Sequence, residues 1–218
     1  MRWLGDDIFI ALRYVQNFNE GNGWVYNAGE YVEGYTDFLW LLIVSFFTWL
    51  RFDAGNTTIV LGMIFSTGTL IVFSLIGYKI SLLKNKFIFP FITLALALNY
   101  DYNAWATGGL EVSFVTFLLS TAFYIYFFTE FNLTKRLLLS GLFICLGLMT
   151  RPDVMLILIF MNVLLFIRNI TNRTTTSELI KFHFIFNASI LLIYLPYFLW
   201  RYNYYGFIFP NTYYVKLG

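Results

Sequence analysis

Apolar residues recur along the chain in long blocks with short polar connections between them, at 36–51, 57–80, 87–100, 109–128, 135–150, 152–168 and 182–205. A bilayer core ~30 Å thick needs about 20 helical residues, so the longer blocks read as spans, whereas 87–100 and 135–150 suit tilted, broken or re-entrant segments. The pattern predicts an all-α fold, a polytopic transmembrane helical bundle of six or seven spans. Ahead of the first block, Ile8, Leu12, Val15 and Phe18 stand at helical spacing among Arg13, Gln16, Asn17 and Glu20. That segment, about 13 residues long, is too short to cross and predicts an amphipathic juxtamembrane helix lying along the surface. Asp6 and Asp7 would open it, where the helix dipole favours anions, and Gly21-Asn22-Gly23 would close it.

Composition strengthens the membrane reading. The chain of 218 residues is 59% hydrophobic and only 12% charged, against about a quarter charged in soluble domains, so it cannot cover a water-facing surface. The basic residues set an orientation. Lys79, Lys84 and Lys86, then Lys135 and Arg136, then Arg168, Arg173 and Lys181 would face the cytoplasm under the positive-inside rule. The stretches 101–111 and 150–153 would then share the outer face with the opening residues. Strict alternation is out by one crossing between Tyr35 and Lys79: either 36–51 or 57–80 does not cross simply, the favoured reading, or the charge rule fails for the first loop. The resulting division is a first extracytoplasmic loop at 1–35, a membrane module at 36–205 and an outer-face tail at 206–218. Richness in Ile, Asn, Lys and Phe suits a bacterial source and hence the inner (cytoplasmic) membrane.

A net charge of +2 with scattered basic residues argues against a nucleic-acid partner. One cysteine, Cys145, and one histidine, His183, leave no internal disulfide, no histidine metal cluster and no Ser-His-Asp triad.

Charges that flank spans are functional candidates, because lipid gives them no reward. The outer segments hold Asp6, Asp7, Glu30, Glu33, Asp101, Glu111, Arg151, Asp153, Arg201 and Lys216. Carboxylates there supply a general base for a hydroxyl, and cations supply a phosphate site. Tyr31, Tyr35, Trp40 and Trp105 offer faces for stacking a sugar, although aromatics at span ends serve as interfacial anchors more often. Arg151-Pro152-Asp153 also reads as a simple helix break with a local cap.

Five segments, in order, carry a family resemblance: the Asp6-Asp7 pair, GEYVEGYTDFLW, ATGGLE, TRPD and YYGFIFPNTYYVK. Together they resemble the GT-C superfamily of membrane glycosyltransferases, and most nearly its mycobacterial arabinofuranosyltransferase-like group. The resemblance implies an inverting transferase with Asp6 or Asp7 as catalytic base. It implies a polyprenyl-phosphate sugar donor, a glycan or lipid acceptor, and contact with membrane lipid. Glu33, Tyr35, Glu111, Arg151, Asp153, Arg201, Asn211 and Lys216 become donor- or acceptor-binding residues, with no metal ligand among them. The sequence requires no cofactor, although a divalent cation bridging carboxylate and phosphate is compatible with it. Members of the group carry a spanning helix before the acidic pair and continue past Lys216, so the resemblance also implies a piece of a catalytic module, inactive alone if the missing parts are needed.

Two rival readings use the same charges. A transporter or flippase for a lipid-linked or polar substrate would hold them near mid-span and show internal repeats, whereas here they lie at span ends and no repeat is evident. A non-catalytic assembly subunit would scatter Asp6, Asp7, Glu111 and Arg151 instead of gathering them around one pocket.

Overall fold

A computed structural model describes residues 4–83 and 88–217, and the side chains of 4–81 and 91–215. Lys84 and Lys86 lie outside the described residues. Among the described residues the chain is all helical, without strands. In order, the helices are α1 (Asp7–Asn19), α2 (Phe38–Trp49), α3 (Ala54–Leu83), α4 (Ile88–Ala97), α5 (Tyr100–Thr107), α6 (Val112–Phe128), α7 (Leu133–Leu148), α8 (Met155–Thr171), α9 (Thr176–Ser189), α10 (Leu195–Tyr205) and α11 (Asn211–Leu217). A single 3-10 turn at Pro152–Val154 leads into α8, and a π-helical turn at Ile190–Tyr194 joins α9 to α10 as one rod.

The span count corrects the expectation of six or seven. Among the described residues three helices are long and apolar enough to cross a membrane, Ala54–Ser81, Pro152–Thr171 and Thr176–Tyr205, and a fourth is reached if α5 and α6, bent by 116°, count together. The blocks 36–51, 87–100 and 135–150 fall short because their helices α2, α4 and α7 have 12, 10 and 16 residues, below the roughly 20 a span needs. Apolar side chains lie bare along the long rods, Leu156 at 71% exposure and Leu192 at 75%. Such surface suits lipid and not water.

The missing crossing between Tyr35 and Lys79 has a concrete cause. α2 begins beside the end of α7, where the Leu39 N–H donates to the Met149 carbonyl at 3.1 Å. The chain is still at that end when α3 begins, since Gly55 lies against Leu4, and Gly109 lies against both Leu4 and Thr58. α2 therefore leaves and rejoins the same end of the bundle. At the opposite end Lys79, late in α3, bonds Glu130 in the α6–α7 turn at 2.9 Å.

Two apolar cores hold the helices together. Ile8, Tyr14, Trp40, Leu41, Phe114 and Leu118 join α1 and α2 to α6, while Ala122, Leu137, Ile144, Met161, Leu165 and Phe186 join α6 and α7 to α8 and α9. Small residues let these helices approach closely, as membrane interfaces require. A β-carbon at Gly141 of α7 would stand well inside contact distance of the Phe186 carbonyl oxygen on α9. Gly141→Ala is accordingly expected to force α7 and α9 apart and destabilise the fold by about 1–3 kcal/mol. A lowered thermal midpoint in detergent would register this, and an unchanged midpoint would mean that the two helices separate freely.

Candidate active site

The opening stretch folds back on itself through polar contacts. Asp6 caps α1, its Oδ1 accepting the Asp7 N–H at 3.1 Å, and the Gly5 N–H donates to the Gly108 carbonyl at 3.1 Å. Those bonds dock the start of α1 on the α5–α6 bend, where Gly109 takes a φ of +83°. Glycine adopts that conformation without the penalty a β-carbon brings. The returning loop is then pinned to α1. Tyr14 donates its hydroxyl to the Val32 carbonyl and accepts the Gly34 N–H, both at 2.8 Å, while the Asn17 amide donates to the Val25 carbonyl at 2.8 Å.

Residues 34–37 are thus laid beside α1 and in front of α6. Asp37 sits at the head of α2 but makes no side-chain cap bond. Glu111 heads α6 and accepts from Arg151 Nη1 at 2.9 Å. Arg151 in turn grips Asp153, its Nε donating to both carboxylate oxygens at 3.1 and 3.2 Å and its Nη2 donating at 3.0 Å. Asp7, Tyr35, Thr36, Asp37, Trp105, Glu111 and Arg151 line a polar cavity of about 440 Å³. Burial first, and then the Glu111 charge, hold the Asp37 carboxyl up at about 7, against the opposing pull of the Asp37 and Thr36 backbone N–H groups and of Arg151. Desolvation disfavours the charged form, so this acid changes charge near neutral pH.

A second cavity, about 530 Å³, adjoins the first and shares Thr36 with it. Its walls are mostly apolar, including Leu148, Met155, Leu191, Leu195, Phe198 and Phe209, with Glu33 and Arg201 as its charged members. Arg201 Nε donates to both Glu33 oxygens at 2.7 and 2.8 Å, and Nη1 donates to the Ile208 carbonyl at 2.9 Å. Burial outweighs the guanidinium and holds the Glu33 carboxyl above its ordinary range.

Of the residues singled out in the sequence, Asp7, Tyr35, Glu111 and Arg151 meet in the polar cavity, and Asp153 is joined to it through Arg151. Asp6 stands outside as the helix cap. Glu33 and Arg201 serve the second cavity. Asn211 opens α11, its N–H donating to the Glu33 carbonyl at 2.9 Å, and its side chain is exposed. The side chain of Lys216 lies outside the described ones. Among the aromatics, Trp105 is 40% exposed and faces the cavity, whereas Trp40 is wholly buried in the core. Tyr35 spends its hydroxyl on Tyr205 at 3.0 Å. The pattern does not single out Asp37, although an acid directly ahead of an apolar run, at a helix N-cap, is a readable signal.

Among the described residues, no three His, Cys, Asp or Glu side chains converge closely enough to hold a metal ion. Arg151 already takes the Glu111 carboxylate, so the residues do not form a ready cage for a divalent cation.

Over 119 residues, 50% of the chain, the sequence is 32% identical to a terminal beta-(1->2)-arabinofuranosyltransferase of Corynebacterium glutamicum. Over 49 residues, 22% of the chain, it is 43% identical to a protein of that name from Mycobacterium tuberculosis. The chain is a distant relative of these glycosyltransferases. The matched stretches span only 16% and 8% of the relatives' own lengths. No protein-family model matches the chain, and no solved structure does. The distant relationship and the exposed apolar helices together give a membrane protein with a glycosyltransferase reading.

Proposed function

We propose that the chain forms the catalytic end of an inverting membrane glycosyltransferase of the GT-C kind, which moves a sugar from a polyprenyl phosphate to a hydroxyl acceptor on the outer membrane face. The observation that carries this reading is the pair of adjoining cavities, one of mixed lining that gathers three carboxylates and an arginine, the other mostly apolar. A carboxylate-lined chamber and an apolar one meet at Thr36, matching a donor with a polar sugar head and a lipid tail. The relatives' name points to arabinofuranose as the sugar.

In this scheme Asp7 takes the proton of the acceptor hydroxyl as its oxygen attacks the anomeric carbon, and the polyprenyl phosphate departs from the opposite side. Arg151 lies where it can balance the growing charge on that phosphate, and Trp105 offers the sugar a stacking face. A divalent cation enters only if phosphate oxygens complete its shell. Incubation of the chain in vesicles with polyprenyl-phosphate arabinofuranose and a glycoside acceptor is expected to yield elongated glycoside and free polyprenyl phosphate in equal amounts. A transporter would move the donor and release no polyprenyl phosphate; that outcome would overturn the assignment.

A further inference from the structure

The polar cavity has an unbalanced set of charges for a chamber that takes a phosphate. Asp7, Asp37 and Glu111 all line it, and among the described residues Arg151 is the one lining cation, already bonded to Glu111 and Asp153. With every carboxylate ionised, an arriving phosphodiester would meet net negative charge in a partly desolvated site, where like charges repel strongly. A neutral acid among the three would lift that repulsion when the donor is bound.

Position selects which one. The phosphate joins the sugar to the lipid, so it belongs where the two cavities meet, at Thr36, and Asp37 is the next residue. Asp7 is exposed to water. Burial raises the Glu111 carboxyl too, but Glu111 accepts from Arg151 Nη1 at 2.9 Å (N···O), an ion pair that favours its ionised form and that Asp37 lacks among the described residues. Asp37 is 7% exposed, caps nothing with its side chain and has no ion pair among the described residues. We propose that Asp37 is a donor-binding residue that carries a proton when the donor is seated and gives it, in a hydrogen bond, to a phosphoryl oxygen. No bond to carbon or phosphorus changes in this step, and the carboxylic acid keeps its proton.

The groups that face Asp37 agree. Burial and Glu111 from the α5–α6 bend disfavour its charge, the backbone N–H groups of Asp37 and Thr36 and Arg151 ahead of α8 favour it, and Asp7 of α1 lines the same cavity while Tyr197 of α10 stands near. Its carboxyl, raised to about 7, is half protonated near neutral pH before the donor adds its own negative charge.

This inference rests on the proposed transfer reaction, and the two can fail separately. The probe is polyprenyl-phosphate arabinofuranose without acceptor, a diester whose single charge does not titrate near neutral pH. Its affinity for the wild-type chain in vesicles is expected to fall about tenfold between about pH 6 and about pH 8, following the protonated fraction of Asp37. Asp37→Asn, which donates without titrating, is expected to bind with little dependence on pH. Should that variant fold poorly, calorimetry of the wild type in two buffers of different ionisation enthalpy is expected to register uptake of up to one proton per donor at about pH 8. Binding without pH dependence or proton uptake, or a fall that persists in Asp37→Asn, overturns the role of Asp37 and leaves the transferase reading standing. Absence of donor binding at every pH overturns both.

Discussion

Arg201→Met is expected to destabilise the polar end of the bundle by about 3–5 kcal/mol, the cost of leaving one member of a buried ion pair alone. The pair is well built for such a loss. The Glu33 and Arg201 side chains are 4% and 7% exposed, two hydrogen bonds from one guanidinium nitrogen fix the carboxylate, and Nη1 ties down the Ile208 carbonyl. Because the Glu33 main chain also holds the Asn211 N–H, the contact joins three parts of the chain, the returning loop, α10 and the start of α11. The loss should depend on pH, with a definite sign. The Glu33 carboxyl already sits above its ordinary value through burial, and removal of the cation raises it further. A carboxyl raised in the folded state binds more protons there than when unfolded, so stability falls as pH climbs from the unfolded value through the folded one. Arg201→Met is therefore expected to be milder at about pH 5 than at about pH 8. Thermal midpoints in detergent at both values test this. The double change Glu33→Leu with Arg201→Met should recover much of the loss, because apolar replacement of a whole buried pair is close to neutral. A single variant as stable as wild type at both pH values would show that the pair contributes nothing.

The sequence made the material of this arrangement legible, but not its joints. Hydropathy marked the apolar blocks correctly, yet a block and a span are different things. Whether 36–51 crosses depends on where its two ends dock, and this is decided by contacts far apart in the chain, Leu39 with Met149 and Gly55 with Leu4. The α1 helix was readable from its spacing because its periodicity and cap are local. Asp7, Glu111 and Arg151 could be nominated from their positions beside spans, and the fold gathers them in one cavity. Partner choice could not be read, because Arg201 lies 168 residues from the Glu33 it bonds, and no local rule pairs them. Asp37 escaped for a different reason. A carboxylate ahead of an apolar run looks like an ordinary helix cap, and only the absence of a cap bond together with its burial marks it as something else.

Asp7→Asn is expected to lower the turnover of sugar transfer by about 10²–10⁴-fold, the usual contribution of a positioned general base. Asp6→Asn should stay within about tenfold of wild type, because asparagine caps a helix as well as aspartate does. The two neighbours have the same chemistry and are separated only by where they point. Asp7 lines the cavity that holds Glu111 and Arg151, whereas Asp6 turns its carboxylate back to the Asp7 N–H. Neither change should disturb the fold much. Both residues are exposed, and the loss of one charge in the first turn of α1 weakens its dipole interaction by only about 0.3–1 kcal/mol. If Asp7 acts on the acceptor hydroxyl in the transition state, the fall appears in kcat and kcat/KM together, with donor KM little moved. A rise in donor KM at unchanged kcat would instead make Asp7 a binding group. An Asp6→Asn effect larger than that of Asp7→Asn would transfer the role of base to the capping residue, which this geometry turns away from the cavity.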